Sequence, residues 1–215
     1  MSFPKSGRTW LRIMLDELGI GLRYEHAGSA HLHALPIEQM PDPGALAGKQ
    51  KIVFLHRDPR DVVVSGYFQA SKRVGVFRGT MSEFLRDPRH GLHKILVFNR
   101  QWLRAAQGRN DICVVTYEAM HADVEAELRR VVAFFGKSVE PAALRKAIEA
   151  GRFETMQQNE ASGVYEQRYG SVLAPGQAGD PESFKVRRGV VAGYVDYLSP
   201  EDLTYCDEVM AKERS

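Results

Sequence analysis

The chain has 215 residues, 44% apolar and 26% charged, a balance that suits one well-buried core and argues against disorder or a membrane-embedded fold. Lysine plus arginine outnumber aspartate plus glutamate by 29 to 27, a net charge of +2, so neither nucleic acid nor an anionic membrane is implied as a partner. No apolar run approaches the roughly 18 residues of a spanning helix, and no secretory leader opens the chain. The expectation is a cytoplasmic protein with a single domain over residues 1–215 and no membrane span. Its two cysteines, Cys113 and Cys206, lack zinc-ligand spacing and read as buried thiols.

Trp10, Leu11, Met14, Leu15 and Leu18 recur at helical spacing, so a helix is expected over 8–18, directly after "PKSG". A short strand is expected over 21–26 ("GLRYEH"), followed by a loop rich in proline and glycine. "KIVFLHR" (51–57) has the apolar run of a buried parallel strand. Asp58 and Pro59 then supply an N-cap and a first helical residue. Further helices are expected over 92–107, 123–135 and 141–150, and a second apolar strand over 111–118 ("DICVVTYE"). Ser199, three residues before Asp202, marks the start of the last helix. Strands alternating with helices imply an α/β sandwich around a mostly parallel central sheet. Ligands of such sheets sit beyond the carboxyl ends of the strands, where Lys5, His26, Arg57 and Tyr117 fall.

"PKSGRT" places a glycine, a hydroxyl and two cations at a helix N-terminus, where unpaired amides and the helix dipole favour an anion. It departs from the G-x-x-x-x-G-K-[ST] loop, because the lysine precedes the only glycine. No convincing acidic residue closes a strand to hold magnesium, which argues against a nucleoside-triphosphate hydrolase and against a metal site. The charge of a bound phosphate must then be met by protein cations, for which Arg57, Arg187 and Arg188 are candidates. The pair in "HLH" (31–33) has no further ligands at metal-binding spacing.

Three separated segments resemble the sulfotransferases that use 3′-phosphoadenosine 5′-phosphosulfate (PAPS). "FPKSGRTW" is similar to the family's 5′-phosphosulfate loop, "RDPRDVVVS" to its 3′-phosphate motif, and "KVRRGVVAGY" to its R-K-G-x-x-G segment. "TYE" and "FETMQQN" resemble weaker adenine-side positions, and the order matches over nearly the whole chain. The resemblance implies a P-loop-type three-layer sandwich that binds PAPS, needs no metal and releases adenosine 3′,5′-bisphosphate (PAP). Lys5, Ser6, Gly7, Arg8 and Thr9 would hold the 5′ end. Arg57 and Ser65 would take the 3′-phosphate, with Arg187, Arg188 and Gly189 closing over it, since guanidinium forks grip two phosphate oxygens at once. Trp10, Tyr117 and Phe153 are candidates for the adenine slot.

Sulfuryl transfer needs an aligned acceptor, a base and a cation at the departing oxygen. Lys5 suits the last role. His26 is the first candidate for the base, because "YEHAGS" is similar to the aromatic-x-His-x-Gly-Ser pattern of small bacterial members. "HLHALP" resembles the His-Leu-Pro segment of animal cytosolic members and makes His31 the second candidate, with His33 the third.

Two features depart from the family. Arginine stands at position 8 where animal members carry threonine. Only Met1 to Phe3 precede the loop, so either the chain begins late or the sheet is trimmed, and the very short link from the first helix to "GLRYEH" points to an open, shallow site. The alternatives are a non-catalytic binder of PAP and a P-loop kinase relative. Segments 71–84 and 159–183 would border the acceptor pocket, and their cations Lys72, Arg73, Arg78 and Arg168 point to an anionic or sugar-like acceptor, a small molecule or glycan. The sequence leaves the oligomeric state open.

Overall fold

The structure, a computed structural model, describes residues 1–46, 48–173 and 183–214. Two parallel strands, β1 (Ile52–His56) and β2 (Ile112–Thr116), pair in register from Ile52 opposite Ile112 to His56 opposite Thr116. On the other side of β1, Met1–Phe3 forms a strand-like stub. The Met1 ammonium donates to the Val53 carbonyl at 2.7 Å and Leu55 N–H donates to the Met1 carbonyl at 3.0 Å. Residues 21–26, expected as a strand, are not one: they form no ladder and meet the stub through one backbone bond, from Ser2 N–H to the Glu25 carbonyl. Three residues are too few to template a full ladder on that edge.

Alternation along β1 divides the interior into two layers of contacts. Ile52 and Phe54 face α2 (Pro59–Phe68), α4 (Leu92–Ala106) and α10 (Pro200–Arg214), with Val62, Phe98, Trp102 and Cys206 in the same cluster. Val53 and Leu55 face the opposite way, onto Leu11, Met14 and Leu15 of α1 (Arg8–Glu17), Leu128 of α6 (Val124–Phe134) and Leu144 of α7 (Pro141–Ala150). Helices on both faces of the sheet make the three-layer α/β sandwich. Cys113 and Cys206 are free and buried.

Cap chemistry sets several boundaries. Asp58 accepts from Arg60 N–H at 2.9 Å at the start of α2, and Ser199 Oγ accepts from Asp202 N–H at 3.1 Å at the start of α10. The second strand ends at Thr116 rather than 118, because Thr116 Oγ1 caps a short helix, α5 (Tyr117–Ala122), by accepting from Ala119 N–H at 2.9 Å. Segment 71–84, expected to border the acceptor pocket, completes a π turn (Gln69–Arg73) and enters α3 (Met81–Arg86), whose Thr80 and Glu83 form a capping box. Segment 159–183 continues α8 (Phe153–Ala161) into α9 (Val164–Tyr169); residues 174–182 lie outside the described residues. Among the described residues no helix is long and apolar enough to cross a membrane.

Candidate functional site

The stub, β1 and β2 end side by side, and beyond their carboxyl ends opens a cavity of about 910 Å³. It is lined by Lys5, Gly7, Arg8, Thr9, Trp10, His26, Arg57, Ser65, Tyr117, Phe153, Arg187, Arg188 and Gly189, so residues far apart in sequence share one wall. Ser6 does not line it. Its side chain is fully buried beneath the turn, and its hydroxyl has no hydrogen-bond partner there.

The turn that starts the cavity is held in the left-handed region at Lys5 (φ 70°) and Gly7 (φ 99°). A Cβ at Gly7 would stand 2.6 Å from Cδ2 of Tyr117, so glycine is required both by the backbone and by the ring pressed against it. Lys5 Nζ donates to Gln69 Oε1 at 3.4 Å and to the Lys185 carbonyl at 3.3 Å. Burial, reinforced by Lys185 and Arg73, holds its pKa well below the ordinary lysine range.

Arg57 closes β1 with its guanidinium 4.0 Å from the Tyr117 ring centroid. It donates to the Val190 carbonyl at 2.6 Å and pairs with Asp61 at 3.2 Å, while its Nε is buried without a partner. Asp61, absent from the sequence reading, accepts from Ala192 N–H at 2.9 Å and Tyr194 N–H at 3.0 Å. A second buried carboxylate, Glu160, accepts from Lys185 N–H at 2.6 Å and Val186 N–H at 2.9 Å and pairs with Arg73 at 3.3 Å. The two acids pin both ends of the C-terminal segment that carries the cations. Between them, Arg187 packs over Phe68 at 4.2 Å and donates to Tyr197 Oη at 2.6 Å. Arg188 pairs with Asp196 at 2.7 Å. Gly189 (φ 65°) lies so close to Phe153 that a Cβ would sit 2.5 Å from its Cδ2.

Aromatic rings gather between these cations. Trp10 meets Tyr117 edge-on with centroids 5.5 Å apart, and His121 stands 5.0 Å from Trp10 and 4.7 Å from Tyr117. The sequence reading missed His121 because it carried the strand to 118; the helical spacing of Tyr117 and His121 was the available signal. A cleft with cations at separated positions and rings between them can hold a flat heterocycle bearing anionic groups at two points.

Both leading histidines line the cavity. Nδ1 of His26 lies 2.9 Å from the Ser2 carbonyl, an acceptor only, so Nδ1 carries the hydrogen and Nε2 keeps its lone pair. Burial, then the Arg8 charge, brings its pKa down to about 3. His31 is likewise brought to about 3 by burial and by His90, on which it stacks at 5.7 Å. Both its ring nitrogens are buried without a hydrogen-bond partner. His33 is exposed and does not line the cavity. Of the expected acceptor-side cations only Arg73 lines it; Lys72 and Arg78 point to solvent, and Arg168 pairs with Glu17.

Comparison with known proteins matches a family described as "Sulfotransferase domain" to residues 33–214. The chain belongs to the sulfotransferase domain family. Human sulfotransferase 2B1 is 30% identical over 158 residues, 68% of this chain and 42% of the human protein. Sulfotransferase 2A1 of Macaca fascicularis is 25% identical over 203 residues, 75% of this chain and 67% of the macaque protein. The chain thus spans less than half the length of the human relative it matches. Among solved structures, mouse sulfotransferase SULT7A1 complexed with PAP superposes with a TM-score of 0.69 at 19% identity, covering 99% of this chain and 81% of that one. A retinol dehydratase in complex with retinol and PAP gives 0.68 at 18%, covering 99% and 79%. These likenesses establish the three-layer fold for the sulfotransferase chain. The family match begins after the Lys5 turn, His26 and His31, whose place in the site rests on the geometry above.

Proposed function

We propose that this sulfotransferase chain binds PAPS in the 910 Å³ cavity and catalyses transfer of its sulfuryl group to a hydroxyl or amine. The observation that carries the reading is the convergence of the Lys5 turn, Arg57, Ser65 and the Arg187–Arg188 pair on one cavity with aromatic walls between them. The family supports it, as do the PAP-bound structural relatives. The site also fits the ligand on two local counts. Gly7 lets backbone approach without a Cβ, and the buried Arg57 Nε has a hydrogen to give.

PAPS supplies the sulfuryl group: the bond from sulfur to the 5′-phosphate oxygen breaks as the acceptor's oxygen or nitrogen bonds to sulfur, leaving PAP. Lys5 meets the charge that develops on the departing phosphate oxygen. His26 takes the acceptor's proton on Nε2, because Nδ1 is committed to Ser2. Trp10, Tyr117 and Phe153 flank the adenine, while Ser65, Arg57, Arg187 and Arg188 hold the 3′-phosphate.

His31 is the second reading for the base, favoured by its two unpartnered nitrogens in the same cavity. His26→Ala and His31→Ala separate the readings: loss of turnover in the first with retention in the second is expected, and the reverse transfers the role to His31. Calorimetry with PAP, PAPS and ATP with magnesium tests the donor. Preference for the 3′-phosphorylated nucleotides is expected, whereas preference for ATP makes the chain a kinase relative. Binding of PAPS without transfer to any acceptor makes it a PAP binder.

A further inference from the structure

Trp10, Val124 and Ile148 give the cavity an apolar wall, and all three pack onto the cluster of Leu11, Met14 and Leu128. Backbone holds the indole in place: a Cβ at Gly151 would stand 3.0 Å from Trp10 Nε1. Walls of this kind suit the faces of a purine. Its polar edge needs a partner of its own, because a donor or acceptor taken out of water without one loses its bonds and gains none. Two hydrogen-bonding side chains from the neighbouring helices line the cavity here, His121 and Arg152. Arg152 is exposed and pairs with Glu149 at 2.9 Å. His121 instead stands against the rings, its centroid 5.0 Å from Trp10 and 4.7 Å from Tyr117. One of its ring nitrogens donates to the Gly189 carbonyl. Burial, then the Arg57 charge, keeps its pKa below the ordinary 6.5, so the ring is neutral at neutral pH and the second nitrogen holds a lone pair.

We infer that His121 reads the base of the nucleotide: its second nitrogen accepts a hydrogen bond from the exocyclic amine of adenine and so selects a 6-amino purine over a 6-oxo purine. The inference rests on the PAPS reading and adds the residue that sets base specificity within it. Trp10, Tyr117 and Phe153 stack on any purine, since every base has a π face. The phosphates are alike whichever base they carry, so Lys5, Arg57 and Arg187 do not distinguish one from another. A lone pair does: it attracts an amine, which donates, and repels a carbonyl oxygen, which brings a lone pair of its own.

Calorimetry tests this with PAP and inosine 3′,5′-bisphosphate, which has an oxygen at C6 where PAP has the amine. Wild type is expected to bind PAP about tenfold more tightly. His121→Phe keeps a ring against Trp10 and Tyr117 but removes both nitrogens, and it should bind the two compounds within about twofold of each other, through weaker binding of PAP. His121→Ala should lose the preference as well. Equal binding by wild type, or tighter binding of the inosine compound, overturns the inference. So does a tenfold preference retained in either variant. Loss of both compounds by both variants also overturns it, since that gives the ring a role common to every base. Failure of wild type to bind either bisphosphate overturns instead the PAPS reading beneath it.

Discussion

Acidifying the ligand-free protein should remove stability that two buried histidines hold at neutral pH. His26 and His31 each drop from an ordinary value of 6.5 to about 3 in the fold. Between those values the unfolded chain binds a proton that the native chain excludes, so acid favours unfolding. The stability is fully present above pH 6.5 and is lost progressively toward pH 3. Moving from about pH 7 to about pH 5 costs about 2 kcal/mol for each ring, by the proton-linkage relation. The pair costs about 4 kcal/mol, a large share of the roughly 5–15 kcal/mol that usually holds a domain folded. Urea unfolding of wild type, His26→Gln and His31→Gln at both pH values measures this, and the variants cancel the contribution of carboxylates. Each variant should lose about 2 kcal/mol less than wild type between the two conditions. If either loses as much as wild type, that ring is not held neutral by burial.

Lys5→Ala should lower turnover by about 10²–10³, the scale for removing one donor at developing negative charge, and steady-state kinetics under saturating PAPS would show it. Unchanged turnover would remove Lys5 from the departing oxygen. Gly7→Ala puts a Cβ 2.6 Å from Tyr117 at φ 99°, so it should displace the ring beneath Arg57 and weaken PAP binding in calorimetry by more than tenfold, from a backbone penalty of about 1–2 kcal/mol plus the clash. Asp61→Asn removes the charge that anchors Ala192, Tyr194 and Arg57, and should cost about 3 kcal/mol or more in urea unfolding, because Arg57 is left partly buried without its counter-ion.

The Lys5 turn, the first helix, β1, and the helices α4, α6, α7 and α10 were legible because local chemistry specifies them: apolar period, a cap residue, a proline at the first helical position. The candidate cations were legible for a related reason. Side chains suited to an anion stand at a turn or a strand end, positions that can be seen in a linear chain, and Lys5, Arg57, Arg187 and Arg188 line one cavity. Segment 21–26 misled because it has a strand's composition but borders a stub of three residues, and pairing is a property of the neighbour. Residues 117–122 misled because the signal that ends β2, Thr116 Oγ1 capping Ala119 N–H, reads in sequence as one more β-branched residue.

Sequence by itself determined which cationic and aromatic residues were candidates for an anion site, and the order in which they occur along the chain. Tertiary structure alone decided which of them share a cavity, since that depends on chain ends meeting across the sheet. His33 and Ser6 do not line that cavity, His121 and Asp61 do, and Glu160 lies behind the wall, holding the amides of Lys185 and Val186. Asp61 and Glu160 decided most. A carboxylate in a helix reads in sequence as a solvated surface charge, and only folding shows that Asp61 and Glu160 are buried with backbone amides from a segment more than twenty residues away in the chain. Burial makes those hydrogen bonds obligatory, and so fixes the segment that carries Lys185, Arg187 and Arg188 against the rest of the site.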